Sequence, residues 1–368
     1  MAAAERFKLI AHIEESRQSK MICYLTSLRP NVPGQISDDA VRVFFDHLLA
    51  LPSRPVQKLD IFLCSNGGSG TVPWRLVSLF REFAQEFNVL IPYRAYSAAS
   101  LLALGANEIV MHPFAELGPI DPTVTNEFNP TDPLTNQRQG ISVEDVTAYV
   151  NFIKSTVGIT HEDELVQAIK ILAEKVHPLA LGNVERFISQ SRMIARKILR
   201  THMGEQDTHT IDEIVENMAS KLYFHGHPIN RQEARNDLRL KVATEVSRDL
   251  EDTMWALYKD YEEEFQNLTI FNPAAELVAT PATPVMPQPM LPPGALPQQV
   301  AVQAPMLMQP PQKDYDLMHA IVESLALSSA FRSTTRYQIV GVNPAGQPLI
   351  RADVLAQQWT HQPGSEVG

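Results

Sequence analysis

The chain has 368 residues, 44% of them hydrophobic and 20% charged, enough to bury a substantial core in one large domain or two ordinary ones. Its net charge of −11, with no dense Lys/Arg run, argues against nucleic acid or an anionic membrane as the main partner. Two cysteines, Cys23 and Cys64, exclude a disulfide framework, and no apolar leader or bilayer-length apolar run occurs. The expectation is a protein without a transmembrane segment, in the cytoplasm.

In chain order, "KMICYLTS" reads as a strand. "SDDAVRVFFDHLLAL" follows as a helix, with Ser37 as N-cap and Val41, Phe44, Phe45 and Leu48 on one face. "KLDIFLCSNGG" is a nearly continuous apolar run ending in paired glycines, which predicts a strand buried on both faces. The next helix, "PWRLVSLFREFAQEF", carries Leu76, Leu79, Phe80, Phe83 and Phe87 at helical spacing. "NVLIPYRAY" reads as a strand, followed by a short helix starting near Ser97 and by the strand "EIVMH". Alternating strands and helices predict βαβ units and a mainly parallel sheet.

From about 141 the sequence is helical. Asn230 and Glu233 form a capping-box pattern, and a long acidic helix over about 244–266 closes a main domain of residues 1–272. Residues 273–311 carry eleven of the 27 prolines and a single charged residue, Glu276, the composition of a disordered linker. The linker is placed at 273–312 and a small C-terminal module at 313–368. There "DYDLMHAIVESLALSSAF" reads as an amphipathic helix and "RYQIVGVNPAGQPLI" as two strands around a turn.

Two small-residue turns end consecutive strands: Asn66-Gly67-Gly68 and Ser97-Ala98-Ala99-Ser100. Ligand sites in parallel α/β sheets form at these carboxyl ends. Glycines let backbone N–H groups face a cleft, and a serine on the neighbouring turn could attack a carbonyl held there. Two other motifs carry less. "HGH" at 225–227 has no Cys or carboxylate at ligand spacing and reads as a surface turn, and Gly68-Ser69-Gly70 lacks the final glycine of a nucleophile elbow. No cofactor or metal is expected.

"DIFLCSNGG", and then "YSAASLLALGANEIVMHPFAELGPIDP" about 30 residues on, resemble the ClpP/crotonase superfamily over roughly residues 5–245. The likeness is greatest to SppA-like peptidases and, more narrowly, to the serine dehydrogenase proteinase family of ClpP-class serine proteases. The resemblance implies a ClpP/crotonase-like fold and a serine peptidase acting on peptide or protein substrates. Ser97 takes the nucleophile position, with Gly67, Gly68 and the amide of Ala98 as oxyanion donors. It also suggests Asp121 and His177 as partners of Ser97, with His112 and Lys154 as alternative bases; Asp145 stands where SppA-like enzymes carry lysine. It implies a homo-oligomer, for which the acidic helix offers a contact arm. Two competing readings are a catalytically inactive scaffold of the same fold, and an acyl-CoA enzyme, for which no basic cluster is present.

Overall fold

Four adjacent parallel strands make one side of the sheet. In the computed structural model they are β1 (Lys20–Thr26), β2 (Val56–Cys64), β3 (Ala84–Ile91) and, after the two-residue β4 (Arg94–Ala95), β5 (Glu108–Met111). The structure describes residues 3–120, 123–124, 127–132, 138–221, 227–279, 283–285, 307–343 and 346–364. From Leu59 to Cys64 every residue of β2 is buried, as its unbroken apolar run predicts for a strand covered on both faces. On one face lie α1 (Ala3–Arg17) and, late in the chain, a long helix bearing Met254, Leu257 and Tyr261. On the other lie α2 (Asp39–Leu49), α3 (Val72–Phe83) and α4 (Ala98–Ala103). The chain is thus a mixed α/β protein with four adjacent parallel strands and flanking helices.

Two local readings shift. The third helix ends at Phe83 and the chain enters β3 directly, so Phe87 is a buried strand residue paired with Leu59, not part of a helix face. Pairing with β2 outweighs a helical period that these residues also satisfy. At α2 the N-cap residue is Asp38, and the Ser37 hydroxyl bonds to the Asp39 carboxylate rather than to a backbone amide.

The middle of the chain contains β6 (Glu116–Leu117), β7 (Thr123–Val124), β8 (Ile141–Ser142), α5 (Val143–Asn151), α6 (Glu162–Lys175), α7 (Pro178–Leu199), α8 (Thr208–Glu216), β9 (Ile229–Asn230) and α9 (Arg231–Asn236). Asn230 caps α9 by accepting from the amides of Gln232 and Glu233. The acidic helix is α10 (Arg248–Phe265), and it is not a free arm. Leu250, Met254, Leu257, Tyr258, Tyr261 and Phe265 are buried against α1 and the sheet.

The region expected as a linker begins with α11 (Pro273–Ala279), started by Asn272, whose Oδ1 accepts from the Ala275 amide, and by Pro273 in the first turn. β10 (Thr283–Val285) and β11 (Leu307–Gln309) pair antiparallel; residues 280–282 and 286–306 lie outside the described residues. Residues 312–364 differ most from expectation. No helix forms there among the described residues. β12 (Gln312–Glu323), β13 (Leu327–Val342) and β14 (Pro348–Pro363) extend the same sheet in the order β14-β13-β12-β1-β2-β3-β5. β12 runs antiparallel to β1, with Leu317, Met318, Ala320, Ile321 and Val322 buried. The unpaired edge of β1 supplies a row of backbone donors and acceptors that an isolated reading of this segment does not contain.

Polar contacts lock the added strands in place. The Arg6 guanidinium pairs with Asp260 and Glu264 of α10 and lies 3.4 Å from Glu323 of β12, whose carboxylate also accepts from the Tyr261 hydroxyl at 2.6 Å. His47, on α2 and 1% exposed, has Nδ1 2.9 Å from Ser324 Oγ and Nε2 3.0 Å from Ser329 Oγ. Burial first, then the proximity of His361, lowers the His47 pKa to about 4. A lowered histidine pKa means that the unfolded chain binds the proton more readily. The contribution is therefore complete above the unfolded value of about 6.5 and is lost as pH falls toward 4, amounting to about 2 kcal/mol by pH 5. Urea unfolding from pH 7 to pH 5 should show a smaller fall in stability for His47→Gln than for the wild type; equal falls would remove His47 as the cause.

Candidate active site

The two small-residue turns meet. The Ser65 amide donates to Arg94 O and the Tyr96 amide to Ser65 O, both at 3.0 Å, which joins the end of β2 to β4 and the segment entering α4. Gly67 has φ of 102°, and a Cβ there would lie 2.6 Å from Tyr96 O and 2.8 Å from Ser97 Cβ. Only glycine fits so close to the serine. Gly68, with φ of 152°, sits equally tightly against the Ile36 backbone.

Ser97 is the N-cap of α4, but its side chain makes no capping bond, and its backbone is at φ 53°, ψ −114°. A non-glycine residue there carries strain on the order of 1–3 kcal/mol, which the packing around it must hold. Its half-buried hydroxyl has no hydrogen-bond partner among the described residues. Ser100 is different. It is 1% exposed, with Oγ 2.6 Å from Ala95 O and 2.7 Å from Gly118 O, and it accepts from the Gly118 amide at 3.2 Å. Ser100 is a structural hydroxyl tied to backbone.

The three expected oxyanion donors are not equivalent. The Gly67 amide is already spent, donating to Ser65 Oγ at 3.0 Å, and Ser65 Oγ lies 2.7 Å from Thr26 Oγ1. The amides of Gly68 and Ala98 have no acceptor among the described residues. Ala98 opens α4, where backbone N–H groups lack intrahelical partners.

A cavity of about 570 Å³ opens beside Ser97. The Asn66–Thr71 turn forms one wall, Leu101 and Ile120 line the inner side, and Phe187, Gln190, Ser191 and Ile194 of α7 form the opposite wall. Ser191 Oγ donates to Ile120 O at 2.7 Å, fixing that wall. The α7 residues recur at i, i+3, i+4 and i+7, so a common helix face was legible in the sequence. What that face covers was not.

No Lys, Arg, His, Asp or Glu lines this cavity among the described residues. Asp121 follows the cavity-lining Ile120 in sequence but lies outside the described residues. His177 is not brought to Ser97. It is exposed, caps α7 by accepting from the Leu179 amide through Nδ1 at 3.2 Å, and stacks on Phe128 with ring centroids 5.0 Å apart. Ten residues separate it from Phe187, the first cavity-lining residue of α7, roughly 15 Å along a helix. His112 stacks on Trp255 at 5.2 Å, its pKa lowered chiefly by burial, and does not line the cavity. Lys154 lines a separate cavity between α5 and α6, with Tyr149 and Leu165. Asp145 is exposed, on the first turn of α5.

Among the described residues, no group of three or more His, Cys, Asp or Glu is placed to hold a metal, and no helix is long and apolar enough to cross a membrane. Both cysteines are buried and unpaired.

No family model matches the chain. It is similar to two uncharacterized proteins of Methanocaldococcus jannaschii. One is 24% identical over 213 residues, covering 58% of this chain and 63% of that protein. The other is 24% identical over 190 residues, covering 52% and 53%. The chain thus spans little more than half the length of these curated relatives. Among solved structures, a mutant of the 1510-N membrane-bound stomatin-specific protease is similar at a TM-score of 0.37 and 13% identity, over 64% of this chain and 85% of that one. Likeness at that level carries no argument about this chain's chemistry.

Proposed function

We propose that this chain is a serine peptidase of ClpP/SppA-like type, forming an acyl-enzyme on Ser97. The observation that carries the reading is the strained Ser97 backbone, which presents an unbonded hydroxyl to a cavity beside two unpaired amides. Strain of this kind persists where the surroundings over-determine it, and it concentrates at catalytic positions. In the reaction Ser97 Oγ attacks the substrate carbonyl as its proton passes to a general base, and the amides of Gly68 and Ala98 receive the oxyanion. Each such donor contributes on the order of 3 kcal/mol to the transition state. Collapse breaks the peptide C–N bond with the proton returned to the departing amine, and water then hydrolyses the acyl-enzyme. Gly67 serves by its lack of a side chain, which brings the two turns together. Asp121 is retained as a partner of the nucleophile because it follows Ile120. His177 would take part only if the first turns of α7 swung inward, and His112 and Lys154 belong to other surroundings.

A second reading, an inactive scaffold of the same fold, is favoured by the lack of a titratable side chain in the described cavity lining. A fluorophosphonate probe separates the two. The wild type should be labelled stoichiometrically and Ser97→Ala not at all, with Asp121→Asn labelled far more slowly. A correctly folded wild type that resists the probe would leave the scaffold reading in place.

A further inference from the structure

β14 is the outermost strand of the seven-stranded sheet, so one of its edges faces no strand of this chain among the described residues. Exposed edges are ordinarily blunted by proline, lysine or short length. β14 is 16 residues long, its prolines stand only at its ends, and it contains no lysine. Its middle has an internal symmetry. In Leu349-Ile350-Arg351-Ala352-Asp353-Val354-Leu355, the residues on the two sides of Ala352 match: aspartate answers arginine, valine answers isoleucine and leucine answers leucine.

We propose that this segment pairs antiparallel with the same segment of a second copy about a two-fold axis at Ala352, merging two sheets into one. An isologous contact sets residue i against residue j and j against i, so a strand with one sign of charge there would repel itself. This strand does not. Arg351 of each copy meets Asp353 of the other and Ile350 meets Val354, while Leu349 and Leu355 lie at the register shifts that end this stretch. Those apolar side chains are otherwise left in water: Leu349, Val354 and Leu355 are 47%, 62% and 49% exposed. Arg351 and Asp353 are also well exposed and already paired within the strand at 2.8 Å, so dimerisation builds an alternating cluster of four charges. The register with β13 is uninterrupted from Ile350 to Val354, between the shifts at Ile339/Gly341 and Thr334/Thr335, so the strand is regular where the axis falls. The proposal is independent of the peptidase reading, and it moves the subunit contact from α10, whose apolar face is used within the chain, to the sheet edge.

Sedimentation equilibrium of the full chain tests it, from about 1 to about 100 µM, because a ladder this short buries less than a standard interface and should dissociate in the micromolar range. The mass should rise from 41.1 kDa toward twice that value. Arg351→Asp and Asp353→Arg each set like charges against one another at two places and should weaken self-association at least about tenfold. An equimolar mixture of the two variants restores both opposite-charge pairs and should associate like the wild type, as should the doubly reversed chain; circular dichroism checks that each variant is folded. A wild type that stays at 41.1 kDa throughout overturns the proposal whatever the variants do. So do single variants that self-associate as the wild type does, or a mixture that fails to associate.

Discussion

Ser97→Ala is expected to abolish peptide hydrolysis, a loss on the order of 10⁴-fold or more in kcat measured on casein or a fluorogenic peptide. Ser100→Ala should retain most of the turnover per folded molecule. The Ser100 hydroxyl is bound to the Ala95 and Gly118 backbone, and its removal leaves the buried Gly118 carbonyl short of a donor, while the Gly118 amide keeps its 3.0 Å bond to Ala95 O, costing about 1–3 kcal/mol of stability. A third variant separates catalytic strain from ordinary structure. Ser97→Gly removes the nucleophile and also relieves the unfavourable φ of 53°, so it should be inactive yet at least as stable as the wild type in thermal melts. A serine placed only for packing would leave activity intact in the glycine variant. Full activity in both Ser97 variants would end the nucleophile reading.

The second large effect concerns the C-terminus. Ending the chain at residue 311 should give an insoluble or unfolded protein rather than a trimmed peptidase. Such a truncation removes Leu317, Met318, Ala320, Ile321 and Val322 from the core and opens the edge of β1. The four larger side chains contribute about 1.5–3 kcal/mol each, together on the order of 10 kcal/mol, which is comparable to the whole stability of a typical domain. The truncation also strips the Tyr261 hydroxyl and the Arg6 guanidinium of their contact with Glu323, leaving a buried hydroxyl without its acceptor. A soluble truncated chain with an unchanged melting temperature would show that β12 is dispensable.

The sequence by itself determined what rests on neighbouring residues. The run from Leu59 to Cys64 can only be a strand covered on both faces, and paired glycines after it call for a turn that a side chain would obstruct. Asn230 was legible from its capping pattern, whereas Ser97 stood apart from Ser100 only through the family resemblance. Tertiary structure decided the rest, because it depends on groups far apart in the chain. The segment 314–331 has side chains that suit either a helix or a strand, and the open edge of β1, some three hundred residues earlier, selects the strand. Phe87 likewise leaves its helical period because β2 offers a ladder. The Gly67 amide looked available until Ser65 Oγ was found to occupy it. His177 was suggested by the resemblance to a family that uses Ser, Asp and His in that chain order. The length of α7 carries it away from Ser97, and a distance along a folded helix cannot be read from a residue's identity.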